Sequence, residues 1–237
     1  MQRYFAQDKK NEVFHLSNDD IHHIRTVMRM KQDDLVEVIY QKKLYLCRLD
    51  IFGKEISVHL QEEKEVETSP NVEIVLIIPF LKEQKMDLIL QKGTELGVSK
   101  FILIDTERSI VKLDSKKSEA KLNRWSKICK EASEQSLRLD IPLVIIEREK
   151  DNLERLVGLK LLCSTTEKEQ TIKKALKKAA KCDKINLMIG PEGGFSLEEE
   201  IYFEKKGFNK VSLGARIMRA ETVPIFLSSI ISYEYME

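Results

Sequence analysis

Two short apolar runs near the C-terminus, each broken by a glycine-bearing loop, constrain this chain more than any other feature. Within Asn186–Pro224 (NLMIGPEGGFSLEEEIYFEKKGFNKVSLGARIMRAETVP), the run Leu187–Ile189 ends at Gly190-Pro191-Glu192-Gly193-Gly194, and Val211–Leu213 ends at Gly214. Runs this short and this apolar suit parallel strands buried on both faces. The ends of such strands are where open α/β sheets bind ligands. Ser196 stands where a helix N-cap belongs, with Glu198–Glu200 filling a first turn at the positive end of the helix dipole. Arg216, Arg219 and Glu221 crowd the second loop.

The first loop narrows the ligand. Glycines let backbone amides approach a bound group closely, as phosphate loops do. Here Glu192 sits in the middle, where its carboxylate would repel a phosphate; no Walker lysine follows, and the spacing is not G-x-G-x-x-G. The loop suits a cationic or neutral ligand better than a nucleoside triphosphate. Gly-Pro and Gly-Gly pairs also mark simple turns, and the arginine-rich second loop is what favours a site over that reading.

The rest of the chain supplies the setting. A length of 237 residues allows one or two domains, and Lys plus Arg total 40 against 39 acids, so any contact with nucleic acid must come from local patches and not from bulk charge. Residues 1–70 read as a small β-rich unit: Leu35–Tyr40, Leu44–Leu49 and Ile56–Leu60 are strand-like, separated by polar turns. Ser17 or Asn18 can cap a helix reaching Arg29, with Ile21, Ile24, Val27 and Met28 on its apolar face. His22, His23, Arg25 and Arg29 stand opposite, with Arg3, Lys9 and Lys10 nearby in sequence, and a solvated basic face is the plainer alternative to a binding one. Gln61–Asn71 has linker composition, which places a domain boundary there.

Beyond it, strand and helix patterns alternate as in an α/β domain: Val72–Ile78, a helix through Met86–Leu96, Phe101–Ile104, a long helix Ser118–Gln135, then Leu143–Ile146 and Leu159–Cys163. Trp125 falls on the apolar side of the long helix and reads as core, and the lysines of Ile172–Ala180 as a solvated helix face. A last helix over Ala220–Tyr235 would bury Ile225, Phe226, Leu227, Ile230 and Ile231, with Pro224 tolerated in its first turn. The four cysteines form no C-x-x-C pair and the four histidines show no metal-ligand spacing, so no metal is expected. The N-terminus lacks a signal-peptide core and no run of about 18 apolar residues exists, so a cytoplasmic protein without membrane spans is expected.

These stretches resemble a known family. IGPEGGFS followed by SLGARIMRAET is similar to the C-terminal signature of the SPOUT-class RNA methyltransferases. With MQRYF at the start, HHIRTVMRM at 22–30, QKGTELGV at 91–98 and RWSKICKEASEQSLR at 124–138 in order, the whole chain resembles the bacterial 16S ribosomal RNA uridine N3-methyltransferases. It departs from them at Gly93 and Val223, where alanine is usual, at Leu137, where glycine is common, and at Met218, where leucine is.

The resemblance implies an α/β, SPOUT-type, trefoil-knotted parallel-sheet methyltransferase domain over 71–237, a small PUA-like β-barrel domain over 1–70, and a homodimer formed through the knotted region. It implies S-adenosyl-L-methionine as methyl donor and 16S rRNA or the small ribosomal subunit as partner. Three loops would hold the donor: Thr165, Thr166 and Glu167; Ile189, Gly190, Pro191, Glu192, Gly193 and Gly194; and Leu213, Gly214, Ile217 and Met218, with Leu213, Ile217 and Met218 flanking the adenine. Arg219, with Arg216, would stabilise negative charge on the uracil oxygens, while Glu221 would orient that arginine, act as base, or simply serve the helix N-terminus. Arg3, Arg25, Arg29 and Arg138 would face RNA. A SPOUT enzyme acting on a ribose 2′-hydroxyl and an inactive ribosome-assembly protein are the alternatives.

Overall fold

The computed structural model describes residues 1–53, 55–66, 72–112, 115–179 and 182–235. The chain clusters into two units, Met1–Ser69 with Lys130–Asp140, and Pro70–Cys129 with Ile141–Glu237.

The first unit is built on a six-stranded sheet. Its strands are β1 (Arg3–Phe5), β2 (Asp8–Lys10), β3 (Val13–His15), β4 (Leu35–Tyr40), β5 (Lys43–Phe52) and β6 (Glu55–Lys64), in the order β1-β4-β5-β6-β3-β2. β1 and β4 run parallel and the other pairs antiparallel. Period-two alternation sends Val36, Val38, Tyr45, Cys47, Leu49 and Val58 into a core shared with Tyr4, Phe14 and Ile24. The β4–β5 hairpin turns on Gln41 and Lys42, both at positive φ (51° and 62°), the geometry of a two-residue type I′ turn. Ser17 caps α1 (Asn18–His22) in a reciprocal capping box with Asp20. The expected continuous helix to Arg29 is instead α1 followed by a π-helical segment, His23–Val27, and Arg29 leaves helical geometry at φ 52°. Gln61–Lys64, read as linker, extends strand β6. Residues 67–71, with the boundary expected at 70, lie outside the described residues.

The second unit carries a six-stranded parallel sheet, ordered β12-β10-β11-β7-β8-β9. In chain order its elements are β7 (Glu73–Pro79), α2 (Glu83–Glu95), β8 (Val98–Ile104), α3 (Ser115–Gln135), β9 (Leu143–Ile146), a 3₁₀ turn (Lys150–Arg155), β10 (Leu159–Cys163), α4 (Ile172–Lys178), β11 (Lys184–Met188), α5 (Leu197–Lys205), β12 (Asn209–Val211) and α6 (Thr222–Tyr235). Alternate residues of β7 divide between two cores. Ile74, Leu76 and Ile78 meet Met86, Ile89, Trp125 and Leu227 from the helices on one face, and Val75 and Ile77 meet Phe203 and Phe208 on the other. Trp125 is core, as expected, and stacks on Phe80 with ring centroids 6.4 Å apart. In α6 the buried stripe is Val223, Pro224, Leu227, Ser228 and Ile231. Ile225, Phe226 and Ile230, expected inside, are half-buried because the helical period turns them off that stripe.

Candidate functional site

Three loops at the C-terminal ends of β10, β11 and β12 enclose a cavity of about 550 Å³. After β10, the Ser164 hydroxyl accepts from the Thr166 N–H at 3.1 Å and donates to the buried Glu200 carboxylate at 2.7 Å, tying this loop to α5. After β11, the Gly194 N–H donates to the Pro191 carbonyl at 2.9 Å, and Gly194 itself leaves the turn at φ 67°. Arg108 clamps this loop by donating to the carbonyls of Gly193 (3.1 Å) and Phe195 (3.3 Å). Ser196 then caps α5 in a capping box with Glu199, as its sequence position predicts. After β12, Ser212 exchanges backbone hydrogen bonds with Gln170 and Ile172, and Gly214 turns the chain at φ 109°. The Arg219 carbonyl accepts from Thr222 and Val223 as α6 begins.

The wall is divided in character. Ile189, Leu213, Met218 and Val223 give it an apolar side, while Ile217 lines the mouth and is 86% exposed. Arg216 and Arg219 also line the cavity, are exposed, and have no side-chain hydrogen-bond partner among the described residues. Lys85, from the first turn of α2, reaches the same mouth and lies 3.0 Å from Glu192 Oε1 and 3.0 Å from Glu221 Oε2. Glu192 first and Glu221 second hold the Lys85 ammonium above its usual range. For Glu221, burial pushes the carboxyl up, but its own backbone N–H, Lys85 and Arg219 together outweigh burial and hold it below the usual carboxylate range.

The structure brings most of the expected residues together. Thr165, Ile189, Gly190, Pro191, Glu192, Gly194, Leu213, Gly214, Arg216, Ile217, Met218 and Arg219 line one cavity. Three expected donor-binding residues fall outside that wall. Thr166 turns its hydroxyl to Glu200 at 3.2 Å. Glu167 caps its own turn, accepting from the N–H groups of Gln170 and Glu169, which holds its carboxyl below the usual range. Gly193 is taken up by Arg108, whose side chain would lie 3.3 Å from an added Cβ. Glu221 reaches the cavity only through Lys85.

Of the four expected RNA-facing arginines, Arg3 and Arg138 are engaged within the first unit. Arg3 is buried, paired with Glu37 at 2.7 Å and donating to the carbonyls of Leu137 and Arg138, so its guanidinium is spent inside the first unit. Arg138 folds onto Asp140 at 2.8 Å. Arg25 is half-buried and donates to the Gly53 carbonyl at 3.4 Å, and Arg29 is exposed. Sequence reasoning missed Lys85, Arg108 and Glu200, whose partners lie far away along the chain and leave no local signal.

Among the described residues no group of three or more His, Cys, Asp or Glu side chains could hold a metal ion, and no helix is long and apolar enough to cross a membrane.

Residues 67–232 match the model of an RNA methyltransferase domain, and residues 16–60 that of an RNA methyltransferase PUA domain. Ribosomal RNA small subunit methyltransferase E of Bacillus subtilis is 32% identical, over 99% of this chain and 97% of its own. The structure of ribosomal RNA small subunit methyltransferase E from Neisseria gonorrhoeae bound to S-adenosyl methionine superposes with a TM-score of 0.87 at 26% identity, covering 99% of this chain and 98% of that one. A Legionella pneumophila structure in complex with the bound cofactor SAM does so with a TM-score of 0.89 at 28% identity, with the same coverage.

Proposed function

The chain belongs to the ribosomal RNA small subunit methyltransferase E family, and on that premise we propose that it methylates N3 of a specific uridine in 16S rRNA, with S-adenosyl-L-methionine as donor. One observation carries the reading: two exposed arginines, without side-chain hydrogen bonds among the described residues, share one cavity with an apolar wall at the ends of three parallel strands.

The residues fit the donor. About 550 Å³ accommodates a ligand of that size. Gly194 and Gly214 have open space where a side chain would stand, which leaves room for a ligand to approach the backbone. Leu213, Ile217 and Met218 supply apolar surface for an adenine, and Glu192 brings negative charge compatible with a cation. S-adenosyl-L-methionine supplies an electrophilic methyl group on a sulfonium.

The chain's own task is to hold a uracil ring and stabilise it without its N3 proton. As that proton leaves, negative charge spreads to the carbonyl oxygens, where Arg219, assisted by Arg216, donates hydrogen bonds. The Glu221 carboxylate, held ionised beside Lys85, suits orienting Arg219 better than accepting a proton. Arg29, with the half-buried Arg25 and Arg138, is the candidate for RNA contact in the first unit.

Finer features follow the same reading. We place a trefoil knot where the chain leaves edge strand β12, crosses the ends of β10 and β11, and packs α6 against α2 and β7. We also read residues 1–70 as a PUA-like barrel and 71–237 as the methyltransferase domain, the protein as a homodimer through the knotted region, and the cytoplasm as its compartment. Light scattering tests the dimer.

The decisive assay uses isotopically labelled donor, small ribosomal subunits lacking the modification, and mass spectrometry of the digested RNA. Label in 3-methyluridine is expected. Label in a 2′-O-methyl nucleoside would defeat the N3 assignment, and absence of both transfer and donor binding would favour the assembly-protein alternative.

A further inference from the structure

We infer that Glu200 is a positioning residue for the methyl donor: its buried carboxylate holds the Ser164 and Thr166 hydroxyls and thereby fixes the loop after β10 in the shape that sets Thr165 in the cavity wall. This rests on the reading of the cavity as the donor site.

Three consecutive acids stand in the first turn of α5, and they are not equivalent. Glu198 is exposed, which suits a charge at the positive end of a helix dipole. Glu199 closes the capping box with Ser196. Glu200 does neither: it is 4% exposed and reaches the loop after β10. Burying a carboxylate is costly unless hydrogen bonds replace its water, and here those bonds come from the donor-site loop. Oε1 accepts from the Ser164 hydroxyl at 2.7 Å and Oε2 from the Thr166 hydroxyl at 3.2 Å. Lys210, from β12, lies 3.7 Å from Oε2 and only 3.1 Å from Glu204, so the hydroxyls and not the ion pair are the close contacts.

The loop is organised around one of these hydroxyls. Ser164 Oγ accepts from the N–H groups of Thr166 at 3.1 Å and Glu167 at 3.4 Å, and lies 2.8 Å from Thr166 Oγ1. An ionised carboxylate can only accept, so it commits the Ser164 proton to itself and leaves that oxygen's lone pairs to the two backbone N–H groups. The turn is thereby pinned on either side of Thr165, which faces the cavity. Glu200 and Ser164 also reach the cavity wall, whereas Thr166 does not. A change at Thr166 therefore acts on the donor only through the loop.

The test is calorimetric binding of S-adenosyl-L-methionine to the full chain, alongside single-turnover methylation of small subunits at saturating donor. Glu200→Met keeps the bulk and removes both acceptors. It is expected to weaken donor binding by about tenfold, the scale of a lost hydrogen bond to a charged group. The rate at saturating donor should change by less than about threefold, because the loop binds and does not react. Glu200→Gln should hold affinity within about threefold of wild type, since its amide oxygen accepts from Ser164 while its N–H donates to Thr166. Thr166→Val should weaken binding in the same direction as Glu200→Met, and the double variant should lose less than the two losses combined. Should Glu200→Met not fold, Thr166→Val decides. Wild-type affinity in Glu200→Met or in Thr166→Val would overturn the inference, the latter by making Glu200 a direct donor contact. A loss in Glu200→Gln as large as in Glu200→Met would put charge in place of hydrogen bonding and overturn it too. Failure of the wild-type protein to bind the donor would defeat the donor-site reading itself, and the inference with it.

Discussion

The backbone N–H of Arg138 donates to the Ser133 carbonyl at 3.0 Å, closing the C-terminus of α3. The Leu137 N–H donates to Glu134 beneath it, and together these bonds form a Schellman motif with Leu137 at φ 59°. Glycine is common at this position in the family, and the geometry gives the reason: a Cβ in the left-handed region crowds the following carbonyl, at a cost of about 1–2 kcal/mol. Leu137 is 57% exposed, so little packing offsets that cost. Leu137→Gly is expected to stabilise the protein by ~1 kcal/mol and raise Tm by about 2–4 °C. A lowered Tm would show that the leucine's contacts outweigh its strain.

Arg3 completes the same helix end. Its guanidinium reaches the Leu137 and Arg138 carbonyls, where the negative end of the helix dipole favours a cation, while Glu37 balances its charge from β4. Breaking a buried pair of this kind costs about 3–5 kcal/mol. Arg3→Ala should therefore lower unfolding free energy in urea by about 3 kcal/mol or more. Arg3→Lys should recover only part of it, because an ammonium cannot span a carboxylate and two carbonyls. Unchanged stability with weakened RNA binding would restore the RNA-facing expectation.

The thiols lend themselves to a pH measurement. Burial pushes Cys47 and Cys163 from the ordinary 9.0 up to about 12, with Lys9 pulling Cys47 back slightly. Each folded-state value lies above the unfolded one, so the stability these thiols contribute is intact below about pH 9 and lost as pH rises toward 12. Urea midpoints should fall on going from neutral pH to about pH 10. At neutral pH, iodoacetamide should label Cys47, which is fully buried, only after denaturation. Rapid labelling of Cys47 in the native protein would contradict the burial argument.

Much of this was legible in the sequence, for local reasons. The apolar runs that became β7, β10 and β11 are short and bounded by polar or glycine breaks, and Ser17 and Ser196 announce their helices through reciprocal caps three residues later. Strands β1, β2 and β3 have three residues each, too few to show a period. The π-helical turn at His23–Val27 leaves no compositional mark. Side-chain destinations were the harder part. Thr165 and Thr166 are equivalent as letters, yet only Thr165 reaches the cavity, because the buried Glu200 draws the Thr166 hydroxyl. Gly93 shows the same limit: an added Cβ would lie 2.9 Å from the Phe101 ring, a contact 8 residues away in sequence that accounts for glycine where relatives usually carry alanine.

The most direct measurement is single-turnover methylation by Arg219→Ala on small subunits lacking the modification, at saturating S-adenosyl-L-methionine, reading 3-methyluridine. Loss of one preorganised donor to a developing anion slows reactions by about 10²–10³-fold, so a reduction of that order is expected with donor affinity unchanged. A wild-type rate of 3-methyluridine formation would contradict the assignment of Arg219 and, with it, the reading of this cavity mouth as the place where the uracil anion is stabilised.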